Sequence, residues 1–319
     1  MRLRILVIGG VCLLMFSQKD LYAALSPGDH TLTITHQGRE RSYIVYVPPQ
    51  ARTGKPLPVV LNFHGGGSNA AGQKAYTRMD QMVDREGFLA VYPDGTGRNN
   101  RIHTWNAGTC CGYAQIQHVD DVGFTLAVID DLARLTPIDR TRVYATGLSN
   151  GAMMVYRLAS EASDSIAAIA PVAGAMSLAS FQPMRPIAIM HIHSIDDPRA
   201  LYEGGFGPPF PATQQRVKHE PVAQTLTHWI TYNGCSPTPE ISETIRWRKK
   251  TSTEHTATKY TYGSCHAGVE VVHWKLTGAG HVWPGGIQDR FENVLGPSTE
   301  VINANEEIWR FFSRFSATR

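Results

Sequence analysis

Short apolar runs closed by glycine or proline alternate with amphipathic stretches along most of the 319-residue chain. Near its start, Thr31 to Thr35 and Ser42 to Val47 alternate apolar and polar residues around His36-Gln37-Gly38, which predicts a half-exposed antiparallel pair at a sheet edge. Val59 to Phe63 is instead continuously apolar apart from Asn62, as expected of a strand buried on both faces, and it ends in His64-Gly65-Gly66-Gly67. An amphipathic helix is predicted from Gly72 to Arg85, and a strand from Phe88 to Tyr92 before the turn Pro93-Asp94-Gly95. Residues Asn99 to Gln117 are rich in Gly and Asn and read as a surface loop; a helix capped by Asp120 or Asp121 follows, running to about Leu135.

The rhythm then repeats. Arg142 to Thr146 reads as a strand, Gly147 to Gly151 as a tight turn, and Ala152 to Ala159 as the start of a helix. Ile166 to Val172, Ile187 to His193 and Val269 to Leu276 are further buried strands, with helices near Ala223 to Tyr232 and Ala304 to Phe312. Alternating strands and helices predict an α/β fold: a mainly parallel, doubly wound sheet with helices on both faces. No linker or repeat divides the pattern, so a single domain over residues 25–319 is expected.

The first 24 residues stand apart. Arg2 and Arg4 precede the apolar run Ile5 to Phe16, and a polar stretch ends in Leu21-Tyr22-Ala23-Ala24, the three regions of an export signal cleaved near Ala23 or Ala24. The run is shorter than the roughly 18 residues that span a bilayer, so no membrane anchor is expected. This segment holds three cations and one anion, so its removal takes the formal charge from +3 to about +1 and leaves no electrostatic case for a nucleic-acid partner. Cys12 leaves with it. Cys110, Cys111, Cys235 and Cys265 remain, an even set in an oxidising compartment. Cys235 with Cys265 is the expected bridge, while the pairing of the adjacent Cys110 and Cys111 is open.

Candidate chemistry gathers at strand ends. Gly147-Leu148-Ser149-Asn150-Gly151 is a G-x-S-x-G turn between a predicted strand and helix, the setting of a nucleophile elbow in the α/β-hydrolase fold. A serine hydroxyl needs an imidazole to take its proton and a carboxylate to hold that imidazole, in the chain order Ser, acid, His. Asp196 and Asp197 follow the strand Ile187 to His193, and His281 sits in the late glycine loop Gly278 to Gly286. His64, His191, His193, His266 and His273 fall in or beside strands and read as structural. His191 and His193 with Asp196 lack a third ordered partner, so no metal centre is expected, and no cofactor is required. Oxyanion donors are expected from the amides of Asn150 and Gly66, with Gly65 the alternative to the latter.

These motifs, with Asn62 to Gly66, Tyr92 to Gly95, Trp105-Asn106 with Cys110-Cys111, Val119 to Phe124, Asp197-Pro198, Asn233-Gly234-Cys235 and Gly280 to Gly286, resemble the polyhydroxybutyrate depolymerases and feruloyl or acetylxylan esterases grouped as carbohydrate esterase family 1. The resemblance spans nearly the whole chain after residue 24. It selects Asp197, four residues after His193 and followed by Pro198, as the acid. It also makes Trp105 and Trp283 candidates for lining a substrate groove. Two positions depart from the family: Ser194 stands where it often has Gly after the His, and Ala152 where Gly is common. The implied reaction is acyl transfer from an ester or polyester through an acyl-enzyme. An amidase with the same triad, or a non-catalytic binding protein on the same scaffold, are the rival classes. The short stretch after Phe312 leads to the further expectation of soluble or amorphous substrates, there being no polymer-binding module.

Overall fold

The computed structural model describes residues 25–99, 101–210, 216–248, 253–287 and 291–317, so the expected export signal lies outside the described residues. Strands β1 (Gly28–His36) and β2 (Arg39–Val47) pair antiparallel across the Gln37-Gly38 turn. Strands β3 (Leu57–Phe63) and β4 (Leu89–Pro93) enclose helices α1 (Ala70–Thr77) and α2 (Asp80–Glu86). Helices α3 (Gly112–Ile116) and α4 (Asp121–Leu135) lead to β5 (Ile138–Leu148), α5 (Asn150–Glu161), β6 (Ala168–Val172) and β7 (Ala188–Ser194). A small hairpin, β8 (Gly205–Phe206) and β9 (Lys218–His219), precedes α6 (Val222–Tyr232). Strands β10 (Glu240–Trp247), β11 (His255–Tyr262) and β12 (Val271–Thr277) follow, then α7 (Glu292–Leu295) and α8 (Ala304–Phe312).

Ten strands form one sheet in the order β1-β2-β4-β3-β5-β6-β7-β12-β11-β10. The central run from β4 to β12 is parallel, and both margins are antiparallel. Helices cover both faces. Val128 and Leu132 of α4, Met154 and Leu158 of α5 and Trp229 of α6 close one face, while Val83 of α2 and Ile308, Phe311 and Phe312 of α8 close the other. From β3 the chain turns one way to β4 and then crosses to β5 on the other side. A crevice opens at the carboxyl ends of β3 and β5, the place where open α/β sheets bind ligands.

Two local expectations are corrected, and two strands were not predicted. The helix expected over Gly72 to Arg85 is two helices, because Arg78 takes a left-handed conformation and closes α1. That break lets α1 hold to the buried Asn62 of β3 through Gln73 and Thr77 while Met79, Met82 and Val83 enter the core. The loop Asn99 to Gln117 contains the short helix α3. Strands β10 and β11 were not predicted: their sequences, EISETIRW and HTATKYTY, cover little of the core, so apolar periodicity carries no signal there. Cys235 bonds Cys265, as expected, and Cys110 bonds Cys111.

One buried ion pair ties the sheet margin to the loop that faces the crevice. Arg41 of β2 donates to Asp121 at 2.8 Å, both side chains almost wholly out of water, and its guanidinium lies 3.8 Å from the centre of the Phe124 ring. Burial lowers the Arg41 pKa and raises that of Asp121, and the mutual attraction opposes both shifts. The second Asp121 oxygen accepts the Asn106 amide, so this carboxylate also anchors the Trp105-Asn106 segment. Removing it leaves a buried guanidinium uncompensated. Asp121→Ala is therefore expected to lower the free energy of unfolding by about 3–5 kcal/mol, measured by denaturant titration; a loss under about 1 kcal/mol would rank the pair with exposed ones.

Candidate active site

Strand β5 ends at Leu148 and α5 begins at Asn150, leaving Ser149 alone to make the turn. It does so at φ 58° and ψ −119°, a conformation that an L-residue holds only under constraint from its surroundings. The flanking glycines supply the room. A Cβ on Gly151 would stand 2.3 Å from the Phe63 carbonyl oxygen and 2.6 Å from that of His64, and one on Gly147 would stand 2.8 Å from the Phe63 oxygen. Ala152, where the related pattern has Gly, is buried with its Cβ facing Gly174, which has none to oppose it. The Ser149 hydroxyl holds no hydrogen bond among the described residues.

The early glycine loop lies against this elbow. A Cβ on Gly65 would sit 3.5 Å from that of Ser149, and one on Gly66 3.5 Å from that of Asn150. Among the described residues the amides of Gly66 and Asn150 enter no turn or cap hydrogen bond, while the Asn150 amide stands at the positive end of the α5 dipole. The Asn150 side chain is occupied elsewhere: its Oδ1 accepts the Trp105 amide at 2.8 Å and its Nδ2 donates to the Trp105 carbonyl at 3.1 Å. Trp105 in turn donates its indole N–H to the His64 carbonyl at 2.9 Å and packs on Phe63 and His64. His64 is fixed by a 2.8 Å bond to the Gly65 carbonyl and accepts the Gly95 amide; burial lowers its pKa to about 4, so it stays neutral.

Asp197 and His281 are in direct contact. His281 Nδ1 lies 2.7 Å from Asp197 Oδ2, and His281 and Ser149 line the same cavity. The carboxylate is buried and densely hydrogen-bonded: Oδ1 accepts the amides of Arg199 (2.7 Å) and Ala200 (2.9 Å), and Oδ2 also receives His193 Nε2 at 3.2 Å. Burial acting alone would push its pKa up. The charge interaction with His281 and the hydrogen bonds from His193 and His281 override that and hold it well below the usual carboxylate range. Asp196 does different work, accepting the Gly278 amide at 2.6 Å. Ser194 donates to the Ala279 carbonyl at 2.6 Å. Both side chains lash the acid's strand to the loop carrying the imidazole, a role for the Ser194 departure that spacing did not reveal.

Behind the acid runs a line of buried imidazoles whose tautomers follow from one acceptor. The Ala200 carbonyl only accepts, so His193 Nε2, 2.8 Å away, carries the proton. His193 Nδ1 then accepts from His191 Nε2 at 3.1 Å, and His191 Nδ1 accepts the Tyr156 hydroxyl at 2.9 Å. His191 and His193 were read as structural; the structure makes His193 a support of the acid, signalled in sequence only by its four-residue spacing from Asp197. Burial, then His193 and His273, push the His191 pKa well below 6.5; burial, then His193 and Lys275, bring His273 to about 3. His219, on the cavity wall, is lowered to about 4 by burial and by His281.

Ser149, Asn150, Gly65, Gly66 and His281 share a cavity of about 510 Å³, walled by apolar side chains including Met153, Val217, Phe210 and Leu295. Trp105 and Trp283 are not on that wall. Their expected lining role is corrected: both are fully buried, Trp105 bracing the glycine loop and Trp283 donating at 3.0 Å to Asn305, which secures the His281 loop to α8. Among the described residues, His64, Asp94 and His103 form the only cluster with metal-ligand chemistry, but His64 Nε2 already accepts the Gly95 amide.

The sequence profile of a family described as Esterase PHB depolymerase matches residues 41–209. A bifunctional acetylxylan esterase/xylanase of Neocallimastix patriciarum is 30% identical over 88% of this chain, which spans 34% of that longer protein. Feruloyl esterase D of Neurospora crassa is 24% identical over 90% of this chain and 86% of its own length. Among solved structures, an acetyl xylan esterase from Aspergillus awamori superposes with a TM-score of 0.52 at 14% identity, covering 89% of this chain and 99% of that one, a likeness of fold.

Two outcomes are expected. Gly151→Ala forces Phe63 and His64 away from the elbow and should lower activity by roughly a hundredfold while far-ultraviolet circular dichroism stays native. Stability should fall on acidification. His64, His191, His219 and His273 have lowered pKa values in the native state, so the unfolded chain takes up protons first as pH drops below 6.5. Stability is then present above that value and lost progressively towards about 4, ahead of the carboxylates. Denaturant titrations across this interval check the slope; a flat profile would mean these imidazoles protonate in place.

Proposed function

The chain belongs to the Esterase PHB depolymerase family, and from that premise we propose that it hydrolyses carboxylic esters by two-step acyl transfer. The observation that carries this reading is the 2.7 Å contact between His281 and a buried, hydrogen-bonded Asp197, with His281 and the strained Ser149 lining one cavity. Ser149 attacks the ester carbonyl, and His281 takes its proton and returns it to the departing alkoxide. Water, activated by the same imidazole, then releases the acid from the acyl-enzyme. Asp197 keeps the proton on Nδ1 and stabilises the imidazolium that forms. The Gly66 and Asn150 amides receive the developing oxyanion, with Gly65 as the alternative to Gly66. Nothing in this sequence of steps requires a metal or cofactor.

The substrate class of the reading is hydroxyalkanoate oligomers or polyester, or feruloyl and acetyl esters of plant polysaccharide. The mainly apolar cavity suits an acyl chain or ring, and the named relatives include acetylxylan and feruloyl esterases. Export with loss of residues 1–24, to the periplasm or beyond the cell, belongs to the same proposal; the two cystines accord with an oxidising compartment. No helix among the described residues is long and apolar enough to cross a membrane.

A panel of hydroxybutyrate oligomers, methyl ferulate, acetylated xylan and a p-nitrophenyl ester tests the reading. Ser149→Ala should reduce kcat by about four to six orders of magnitude and Asp197→Asn by about four, with the fold unchanged by circular dichroism. Hydrolysis untouched by Ser149→Ala would remove Ser149 from the mechanism. Failure on every ester would redirect the site towards amides or binding alone.

A further inference from the structure

The net charge of the chain is small, but the ionisable groups around the cavity are not balanced. Among the described residues that line it, the permanently charged side chains are Arg101 and Arg199, and no Asp or Glu is present. Neither guanidinium has a carboxylate partner among the described residues. Arg199 is half-buried. Its N–H groups reach the Pro209 carbonyl only at 3.4 and 3.5 Å, and its guanidinium lies 5.2 Å from the centre of the Phe210 ring, which itself lines the cavity. Its backbone amide is held on Asp197 Oδ1, so the base of this side chain is anchored beside the catalytic acid. Arg101 is exposed, with its backbone amide bonded to Asn99 Oδ1. Asp197, which holds the Arg199 amide, is buried, accepts three hydrogen bonds and contacts His193 Nε2 at 3.2 Å, and it does not line the cavity.

Two guanidiniums whose donors are unfilled among the described residues, beside an apolar wall and with no carboxylate among the described lining residues, make a site for an anion tethered to a hydrophobic ester. We propose that Arg101 and Arg199 form an anion subsite, and that the preferred substrates are esters carrying a free carboxylate in their acyl or alcohol half, such as hydroxyacid oligomers with a free acid end. This rests on the esterase reading above and narrows its substrate class. The arginines are binding residues: they take no part in proton transfer, and their contribution appears in discrimination between a charged ester and its neutral counterpart.

The experiment compares kcat/KM for two pairs: p-nitrophenyl hydrogen glutarate against p-nitrophenyl methyl glutarate, and 4-acetoxybenzoate against methyl 4-acetoxybenzoate. Each is run with wild type, Arg101→Gln, Arg199→Gln, the double Gln variant and the double Lys variant. Dividing each acid-to-ester ratio by that of the double Gln variant cancels intrinsic reactivity. In at least one pair the wild-type ratio should exceed that of the double variant by roughly tenfold or more, with the Lys variant retaining part of it. The wild-type ratio should also fall as salt rises, since Arg101 is exposed and Arg199 only half-buried. Equal ratios in wild type and double Gln variant for both pairs, with Ser149-dependent turnover of the neutral esters intact, would overturn the subsite and leave the esterase standing. Absence of turnover for all four compounds would overturn the esterase reading, and this inference with it.

Discussion

Asp197 is a charge kept out of water, and the carboxyl edge of the sheet is organised around meeting that cost. Desolvating a carboxylate is unfavourable by several kcal/mol unless its lone pairs are filled. Here two amides from the turn after β7, one imidazole from the β12 loop and one from β7 itself fill them. The requirement spreads outward. His193 serves the acid only as the tautomer with its proton on Nε2, which demands a donor at Nδ1; His191 supplies it, and Tyr156 completes the line from α5. Because α5 also begins at the elbow, the helix that presents Ser149 and the imidazoles that steady Asp197 are packed as one body.

A second buried network holds the opposite wall. Arg41, Asp121 and the Asn106 amide connect the sheet margin to the Trp105 segment, and Asn150 clasps Trp105 from the elbow with both ends of its amide. Trp105 then braces the His64 carbonyl at the base of the glycine loop. Tryptophans that resembled a substrate platform are thus structural supports. The cavity wall is left to smaller apolar residues, to His219 and to the two arginines. Buried polar networks of this kind hold the polar groups of a site in fixed positions.

Much of this was legible in order along the chain. Runs such as Val59 to Phe63 and the G-x-S-x-G turn carry local signals, since a doubly buried strand must be apolar throughout and an elbow must have glycine where a Cβ would strike backbone. The break at Arg78 and the strands β10 and β11 were not legible. A helix broken by where its two halves dock keeps its periodicity, and a solvated marginal strand has no apolar face to declare.

Periodicity and motif spacing therefore settled the order of the core strands and the larger helices, the expected place of Ser149 and His281, and the glycine loop against which the elbow rests, because each obeys a steric or burial rule acting over a few residues. Folding settled everything that depends on which distant atoms become neighbours. It separated Asp197, on the imidazole, from Asp196, on the Gly278 amide, and moved Trp105 and Trp283 from surface to core. It also turned His193 from a strand residue into a ligand of the acid and gathered Arg101 and Arg199, 98 positions apart in sequence, around one cavity. Hydrogen bonds and charge pairs act over ångströms in space, and a linear pattern carries no record of those distances.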